Sequence, residues 1–161
     1  MFKKVLIPTD GSPLSVQSAN AGILFAKSVH AEVVALHVTQ PFAATIGFDG
    51  MAAAYAITDE SYEKAAAEQA AEYLSAILDR AATAGVKAES CSVSNFNVAD
   101  GIVQAAQENH CDLIFIGSHG RSGLSRLLLG SVTAKVLSLS HTAVLVYRVK
   151  EEKDKDHHHK G

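Results

Sequence analysis

The chain has 161 residues, of which 48% are hydrophobic and 19% charged, and its formal net charge is −3. This length and composition predict one domain with a full hydrophobic core. A mildly acidic chain lacks the basic stripe that nucleic-acid binding requires, and no apolar run approaches the roughly 18 residues of a membrane span. We therefore expect a protein that binds neither nucleic acid nor membranes.

The cysteines and the first residues both indicate the cytoplasm. Cys91 and Cys111 have neither CxxC nor metal-ligand spacing, so we expect reduced core thiols. The segment Met1–Val5 leads directly into a strand and lacks the cleavage region of a signal peptide. The sequence thus predicts a cytoplasmic protein.

Five short apolar runs rich in β-branched residues alternate with longer segments of helical period. This alternation is typical of βαβ units around a parallel sheet. Four of the runs are almost purely apolar, as expected of strands covered on both faces, whereas the third carries Ser90, Ser92 and Ser94 and suits an edge. The predicted strands are Val5–Ile7, Glu32–Val38, Val86–Val93, Asp112–Ile116 and Ala143–Val149.

Four helices are predicted between these runs, each with a recognisable boundary. Ser12 as N-cap and Pro13 at the first helical position open the first helix. Asn97, with Asp100 three residues later, opens the third. The helices are predicted at 13–29, at 59–84 with Gly85 as its stop, at 98–109, and at 132–139 with Ser131 as its cap.

Two segments fit no element of this pattern. Residues 40–58 carry six large apolar side chains, and we expect a lid or partner surface, the alternative being a poorly ordered excursion. Residues 150–161 contain no aliphatic residue and balanced charges, which predicts a disordered tail after a domain of residues 1–149. His157–His159 could chelate a metal weakly or be a tag remnant, but nothing beside them would fix ligand geometry.

The most informative segment links the fourth predicted strand to the fourth helix. Open parallel sheets bind ligands beyond the carboxyl ends of their strands. Glycines at 117, 120 and 130 would let the backbone approach a ligand without a Cβ in the way. The N–H groups of Ser131, Val132 and Thr133 would face an anion at the helix start. Neither GxxxxGK[ST] nor GxGxxG occurs, so we expect neither a Walker-type nor a dinucleotide mechanism.

This segment reads Gly-2x-Gly-9x-Gly-Ser from Gly117 to Ser131, and the first strand and turn read VLIPTDGS over Val5–Ser12. Together they resemble the ATP-binding subgroup of the universal stress protein family, over residues 2–149. The resemblance implies an α/β fold: a single three-layer, adenine nucleotide alpha hydrolase-like domain with a five-stranded parallel sheet in the order 3-2-1-4-5 and two helices on each face. The family often has proline where His141–Ala143 stands, and its absence is expected to loosen the entry to strand five slightly.

The resemblance also implies that a nucleotide lies across the ends of strands one and four. Pro8, Thr9 and Asp10 would border the adenosine, with Asp10 accepting from the ribose or assisting Mg²⁺. Val38 would meet the adenine through its backbone. The residues implied at the phosphates are Gly117, Ser118, His119, Gly120, Arg121, Gly130, Ser131, Val132 and Thr133.

Several polar residues also have a purely structural interpretation. Asp10, before Gly-Ser, could instead brace the turn into the first helix. His119 is expected to fix the glycine-rich turn rather than to catalyse, since no acid stands beside it in sequence. Arg121 is the favoured phosphate cation, whereas Arg126 suits solvent equally well. His37 is expected to be a satisfied core or interface histidine and not a ligand residue.

We expect an ATP-binding regulatory or sensor protein of the stress response, with ADP or AMP as other possible ligands. The segment from 117 to 131 has no lysine and no convincing base. We therefore predict that the protein is not an enzyme, or is at most a weak ATPase. Two alternatives stay open: a non-nucleotide or chaperone-like module on the same fold, and an enzyme on a related fold, which usually has a larger chain.

The resemblance further implies a homodimer. Strand 143–149 would be an exposed apolar edge, and two copies would pair antiparallel through it. We also expect a regulatory protein partner that the sequence does not identify.

Overall fold

Residues 1–43, 58–119 and 129–149 are described by the computed structural model. They form strands and helices that alternate along the chain, as predicted. The strands are β1 (Lys4–Pro8), β2 (Glu32–Thr39), β3 (Ala88–Ser94), β4 (Leu113–Gly117) and β5 (Ala143–Tyr147). The helices are α1 (Pro13–Ser28), α2 (Asp59–Ala84), α3 (Val98–Glu108) and α4 (Ser131–Leu139). The predicted tail, 150–161, lies outside the described residues.

All five strands pair in parallel in one sheet, in the order β3-β2-β1-β4-β5. The predicted order is thus confirmed, and β1 lies at the centre between β2 and β4. β3 is one edge, and its mixture of half-buried and exposed residues fits its polar sequence. β5 is the other edge and exposes Ala143 and Tyr147 at its two ends.

Each face of the sheet carries two helices, which confirms the predicted three layers. Because side chains alternate along a strand, Val5 and Ile7 of β1 pack with α1 and α2, whereas Leu6 packs with α3 and α4. All three side chains are fully buried. Within the described residues, no helix has both the length and the apolar composition needed to cross a bilayer.

Two predicted helix starts are confirmed by their capping hydrogen bonds. Ser12 Oγ accepts the N–H of Ser15 at 3.2 Å, and Pro13 opens α1. Asn97 Oδ1 accepts the N–H of Asp100 at 3.2 Å at the start of α3. Each cap satisfies one of the donors that a helix start leaves without a partner.

The predicted cap of α4 is wrong by one residue. The helix begins at Ser131, and Gly130 occupies the N-cap position with φ −59° and ψ 153°. In this extended conformation the Gly130 carbonyl accepts the N–H of Ala134 at 2.9 Å, which is the first helical hydrogen bond. The Ser131 side chain is therefore past the cap position, and no side chain caps α4.

The segments that connect each helix to the next strand lie at the amino ends of the strands and are short. Where proline is absent before β5, Ser140 Oγ donates to the Thr142 carbonyl at 2.7 Å and accepts the Thr142 N–H at 3.1 Å. These two bonds close the turn that was expected to be looser without a proline.

The two cysteines are free thiols, as expected of core cysteines. Cys111 is buried, and burial raises the pKa of its thiol to about 11, so the thiol is protonated at neutral pH. Cys91 is half-buried and accepts the Asn109 side-chain amide at 3.7 Å.

The two ends of the predicted lid segment, 40–58, are partly described, but residues 44–57 lie outside the described part of the chain. At the first end, Tyr62 Oη of α2 donates to the Gln40 carbonyl at 2.9 Å, and the rings of Phe42 and Tyr62 lie 5.1 Å apart. At the second end, Thr58 is the N-cap of α2, so both ends are connected to the start of this helix.

Three helices end in the same hydrogen-bond pattern. After α1, the N–H of His30 donates to the Lys27 carbonyl, and the N–H of Ala31 donates to the Ala26 carbonyl. After α2, the corresponding donors and acceptors are Gly85 to Ala82 and Val86 to Ala81. After α3, they are His110 to Gln107 and Cys111 to Ala106. This Schellman motif requires a left-handed residue after the helix. Gly85 fills that position with φ 75°, but His30 and His110 fill it with φ 57° and 54°.

We expect His110→Gly to stabilise the protein by up to about 1 kcal/mol, because a residue with a Cβ is strained in the left-handed region. The matched reverse change, Gly85→His, should lower the free energy of unfolding by a similar amount, since a Cβ at Gly85 would meet no neighbour and only the backbone is affected. Urea denaturation of both variants measures the two effects. Equal stability of all three proteins would contradict this explanation.

Candidate functional site

A pocket of about 310 Å³ opens beyond the carboxyl ends of β1, β2 and β4. Its volume falls at the lower end of the roughly 300 to 1,000 Å³ typical of ligand sites. It lies where the chain order in the sheet reverses, the usual ligand position in open α/β sheets. The lining residues are Pro8, Thr9, Asp10, Ser15, Val38, Val98, Ile102, Ile116, Gly117, His119, Gly130, Ser131, Val132 and Thr133.

Most of the residues predicted at a ligand site are brought together in the wall of this pocket. Those that line it are Pro8, Thr9, Asp10, Val38, Gly117, His119, Gly130, Ser131, Val132 and Thr133. Gly120 and Arg121, also predicted, lie outside the described residues, as does Arg126. Ser118 is described but lies behind the wall.

Ser118 is a structural link and not part of the pocket surface. Its N–H donates to the Tyr147 carbonyl of β5 at 2.8 Å, and its own carbonyl accepts the N–H of Gly130 at 2.8 Å. The first bond ties the end of β4 to β5, and the second holds the start of α4 near the end of β4. The side chain is buried, and its Oγ is 3.1 Å from His119 Nδ1.

The start of α4 is the main polar feature of the pocket. Thr133 Oγ1 donates to the Gly117 carbonyl at 2.8 Å and so joins the first turn of the helix to the end of β4. The N–H groups of Ser131, Val132 and Thr133 precede the first intrahelical donor, Ala134, and no side chain caps them. Unpaired N–H groups and the positive end of the helix dipole favour an anion at this place.

Glycine at position 117 has a packing reason that the sequence motif did not indicate. A Cβ built there would lie 3.2 Å from both Cβ and Oγ of Ser18, in α1, so the missing side chain leaves room for the helix. Such a distance is tighter than ordinary van der Waals contact. Gly117 therefore lets α1 pack closely on β4 while its backbone lines the pocket.

The turn after β1 forms the opposite wall. Asp10 Oδ1 accepts the N–H of Ser12 at 2.9 Å, so the bracing role considered from the sequence is present. Asp10 nevertheless lines the pocket, and the two roles are compatible. Gly11 follows with φ 76°, and a Cβ at this position would overlap the ring of Tyr73.

His119 lines the pocket between the end of β4 and the undescribed part of the loop. Its Nδ1 is paired with Ser118 Oγ, whereas its Nε2 is buried and has no hydrogen-bond partner. No acid among its described contacts orients the ring for catalysis. This arrangement fits the expected role in fixing the turn.

Four lining residues were missed by the sequence interpretation: Ser15, Val98, Ile102 and Ile116. Val98 and Ile102 are one helical turn apart in α3 and look like ordinary core positions, and Ile116 is the end of an apolar strand. With Val38 they make one side of the pocket apolar. Position near the end of a strand or the start of a helix was the available signal, but it does not show which residues border empty space.

Asp10 is the only carboxylate among the described residues that line the pocket, and no lysine or arginine is among them. The described part of the chain contains no cluster of three or more side chains suited to a metal ion. A single carboxylate fits Mg²⁺, which often takes one or two carboxylates together with phosphate oxygens and water. It does not fit a metal held by the protein alone.

Comparison with known proteins gives a consistent result. The model of the universal stress protein family matches residues 1–148. The universal stress protein MJ0531 of Methanocaldococcus jannaschii is 34% identical over 150 residues, which cover 92% of this chain and 83% of that protein.

Solved structures agree with the fold described above. The protein MJ0577, also from Methanocaldococcus jannaschii, is 28% identical in sequence, and its structure superimposes with a TM-score of 0.77. The match covers 94% of this chain and 99% of that one. A universal stress protein solved in complex with cAMP is 28% identical in sequence, with a TM-score of 0.62. The match covers 91% of this chain and 97% of that one.

Proposed function

Because this chain belongs to the universal stress protein family, we propose that it binds ATP in the pocket described above and acts as a nucleotide-dependent regulatory or sensor protein in the stress response. One observation carries the proposal: an apolar slot and an uncapped helix start face the same cavity. A nucleotide needs both, a dry surface for the base and donors for the phosphates.

The chemistry of the wall suggests how the ligand is oriented. The apolar side, formed by Val38, Val98, Ile102 and Ile116, suits an adenine ring. Thr9 and Asp10 suit the ribose, and the start of α4 suits the phosphates. Bound Mg²⁺ would neutralise phosphate charge, with Asp10 as its only described protein ligand. The related protein solved with cAMP supports an adenine nucleotide as the ligand class.

A comparison of free energies shows that the phosphate end cannot act alone. Micromolar affinity corresponds to about 8 kcal/mol, whereas a helix terminus contributes at most about 2 kcal/mol to an anion. The base and ribose must supply much of the difference. We therefore propose that affinity depends on the adenosine half and that the phosphates tune it, which also allows ADP or AMP to bind.

We expect Ser131→Pro to weaken ATP binding about tenfold or more, because it removes one donor to a charged phosphate. Proline is well tolerated at the first helical position, and the preceding Gly130 already has the extended backbone that proline demands. Calorimetric titration with ATP and native mass spectrometry of the untreated protein measure the change.

The matched control for this experiment is Ser131→Ala, which keeps the N–H and removes only the hydroxyl. Circular dichroism should be unchanged in both variants. If the proline variant binds ATP as tightly as the alanine variant, donation by the Ser131 N–H is ruled out. If the wild-type protein carries and binds no adenine nucleotide, the chain is a non-nucleotide module on this fold.

We also propose that hydrolysis is slow or absent. Fast phosphoryl transfer needs strong charge neutralisation and a residue that orients the attacking water. The described wall offers Asp10, which already accepts the Ser12 N–H, and His119, whose ring is directed by Ser118. Phosphate release by the purified protein should stay far below one ATP per second, and His119→Ala should not change the rate. A wild-type rate of several ATP per second would refute this proposal.

Finally, we propose that two copies pair antiparallel through β5. The Tyr147 carbonyl points inward and accepts the N–H of Ser118 in the neighbouring loop, so the backbone groups of Val144 and Val146 point outward from the sheet. An exposed edge of this kind invites pairing.

Sedimentation should show a dimer at tens of micromolar for the wild type and a monomer for Val146→Pro, which removes an outward N–H. Val146→Thr keeps that donor and the branched shape and should remain dimeric. A monomeric wild type at this concentration would contradict the proposed interface.

A further inference from the structure

Thr9, in the wall of the pocket, is held unusually firmly for a loop residue. Its N–H donates to the Leu36 carbonyl at 2.8 Å, and its Oγ1 contacts Ser15 Oγ at 3.1 Å and accepts the Gly11 N–H at 3.1 Å. Its carbonyl oxygen is 2.8 Å from Nδ1 of His37. Every polar group of Thr9 is thus engaged, and the last bond comes from a side chain that is not in the pocket wall.

The direction of the His37 bond follows from its partner. A carbonyl oxygen can only accept, so Nδ1 of His37 must carry the proton and donate. The expectation that His37 is a satisfied histidine therefore holds, and its tautomer is assigned by the contact.

His37 reaches Thr9 from the far side of the sheet. Its neighbours Leu36 and Val38 pack on the side of α3 and α4, so the side chain of His37 lies on the side of α1 and α2. There its ring meets that of Tyr73, in α2, edge to face at 5.4 Å and 74°. The same Tyr73 ring closes over Gly11. One aromatic ring thus supports both the histidine and the turn.

The bond sets the orientation of the peptide between Thr9 and Asp10. No peptide bond in the described residues is cis, and in a trans peptide the carbonyl and the next N–H point in opposite directions. β1 lies between β2 and β4. With the Thr9 carbonyl held toward His37 on β2, the N–H of Asp10 is turned toward β4, whose end brings Gly117 and His119 to the pocket.

We propose that His37 is a positioning residue for the bound nucleotide: it acts through the Thr9 carbonyl and fixes the peptide that presents Asp10 to the ligand. The proposal rests on the nucleotide-binding function proposed above. A purely structural role would instead make His37 matter for folding alone.

Three variants separate these two roles. His37→Leu keeps the bulk but removes the donor, and we expect ATP binding to weaken about tenfold, the loss of one net hydrogen bond. His37→Asn offers an amide N–H at a similar reach and should restore affinity to within about threefold of the wild type. Val33→Ala is the control for a purely structural effect: it lies on the same face of β2 at the opposite end, is buried in the same cluster, and is not in the pocket wall. It should lower the melting temperature without changing affinity.

The tautomer provides a test that needs no nucleotide. Long-range proton–nitrogen correlation spectra of the free protein should show His37 protonated at Nδ1 at neutral pH. Protonation at Nε2 alone would overturn the proposal, because two lone pairs would then face each other.

The binding measurements have equally definite outcomes. Weak binding by His37→Leu with recovery in His37→Asn supports the positioning role. The positioning role is overturned if His37→Leu binds with wild-type affinity or if His37→Asn shows no recovery. In either case the titration of the wild type still upholds nucleotide binding. Absence of binding in the wild type overturns both proposals, and this result is recognised before any variant is compared.

Discussion

The start of α4 is joined to the end of β4 by two short hydrogen bonds, from Thr133 Oγ1 to the Gly117 carbonyl and from the Gly130 N–H to the Ser118 carbonyl, each 2.8 Å long. Together they fix the helix at the one place where the central strands end. Because Gly130 has no side chain, the first helical turn is left without a cap. The anion-attracting end of α4 is therefore held rigidly over the pocket instead of being satisfied locally.

The opposite wall is built by a different principle. Within a tight turn Thr9 accepts the Gly11 N–H and Asp10 accepts the Ser12 N–H, and His37 secures that turn from behind. The pocket is thus a gap between two independently stabilised edges, one dominated by a helix dipole and one by a hydrogen-bonded turn. Such a gap can exist without a ligand, which lowers the conformational cost of binding.

The fold was predictable because its signals are local or belong to the resemblance. Alternating apolar runs and helical segments predicted β1 to β5 and α1 to α4, and Ser12, Gly85 and Asn97 predicted three helix boundaries. The strand order came from the resemblance and not from the pattern, since periodicity does not show which strands are neighbours. The boundary at Ser131 was missed because serine is preferred at a cap, although glycine is also accepted there.

The site was predictable only in part, because several of its features depend on contacts between distant parts of the chain. The packing of Gly117 against Ser18 joins residues of β4 and α1, and the bond from His37 to Thr9 joins two different strands. Neither pair has a sequence spacing that indicates contact. A glycine motif predicts that side chains are absent, but it does not tell whether a ligand or a helix fills the space.

The identical endings of α1, α2 and α3 make the two edges of the sheet differ in how tightly they fix chain length. Each helix returns to the sheet through one left-handed residue, so an insertion of even one residue there would shift the next strand and turn its side chains to the wrong face. The longest connections, residues 40–58 and 118–130, both leave the opposite edge, where the pocket opens. The length of those two connections can therefore change without moving the strands and helices of the domain.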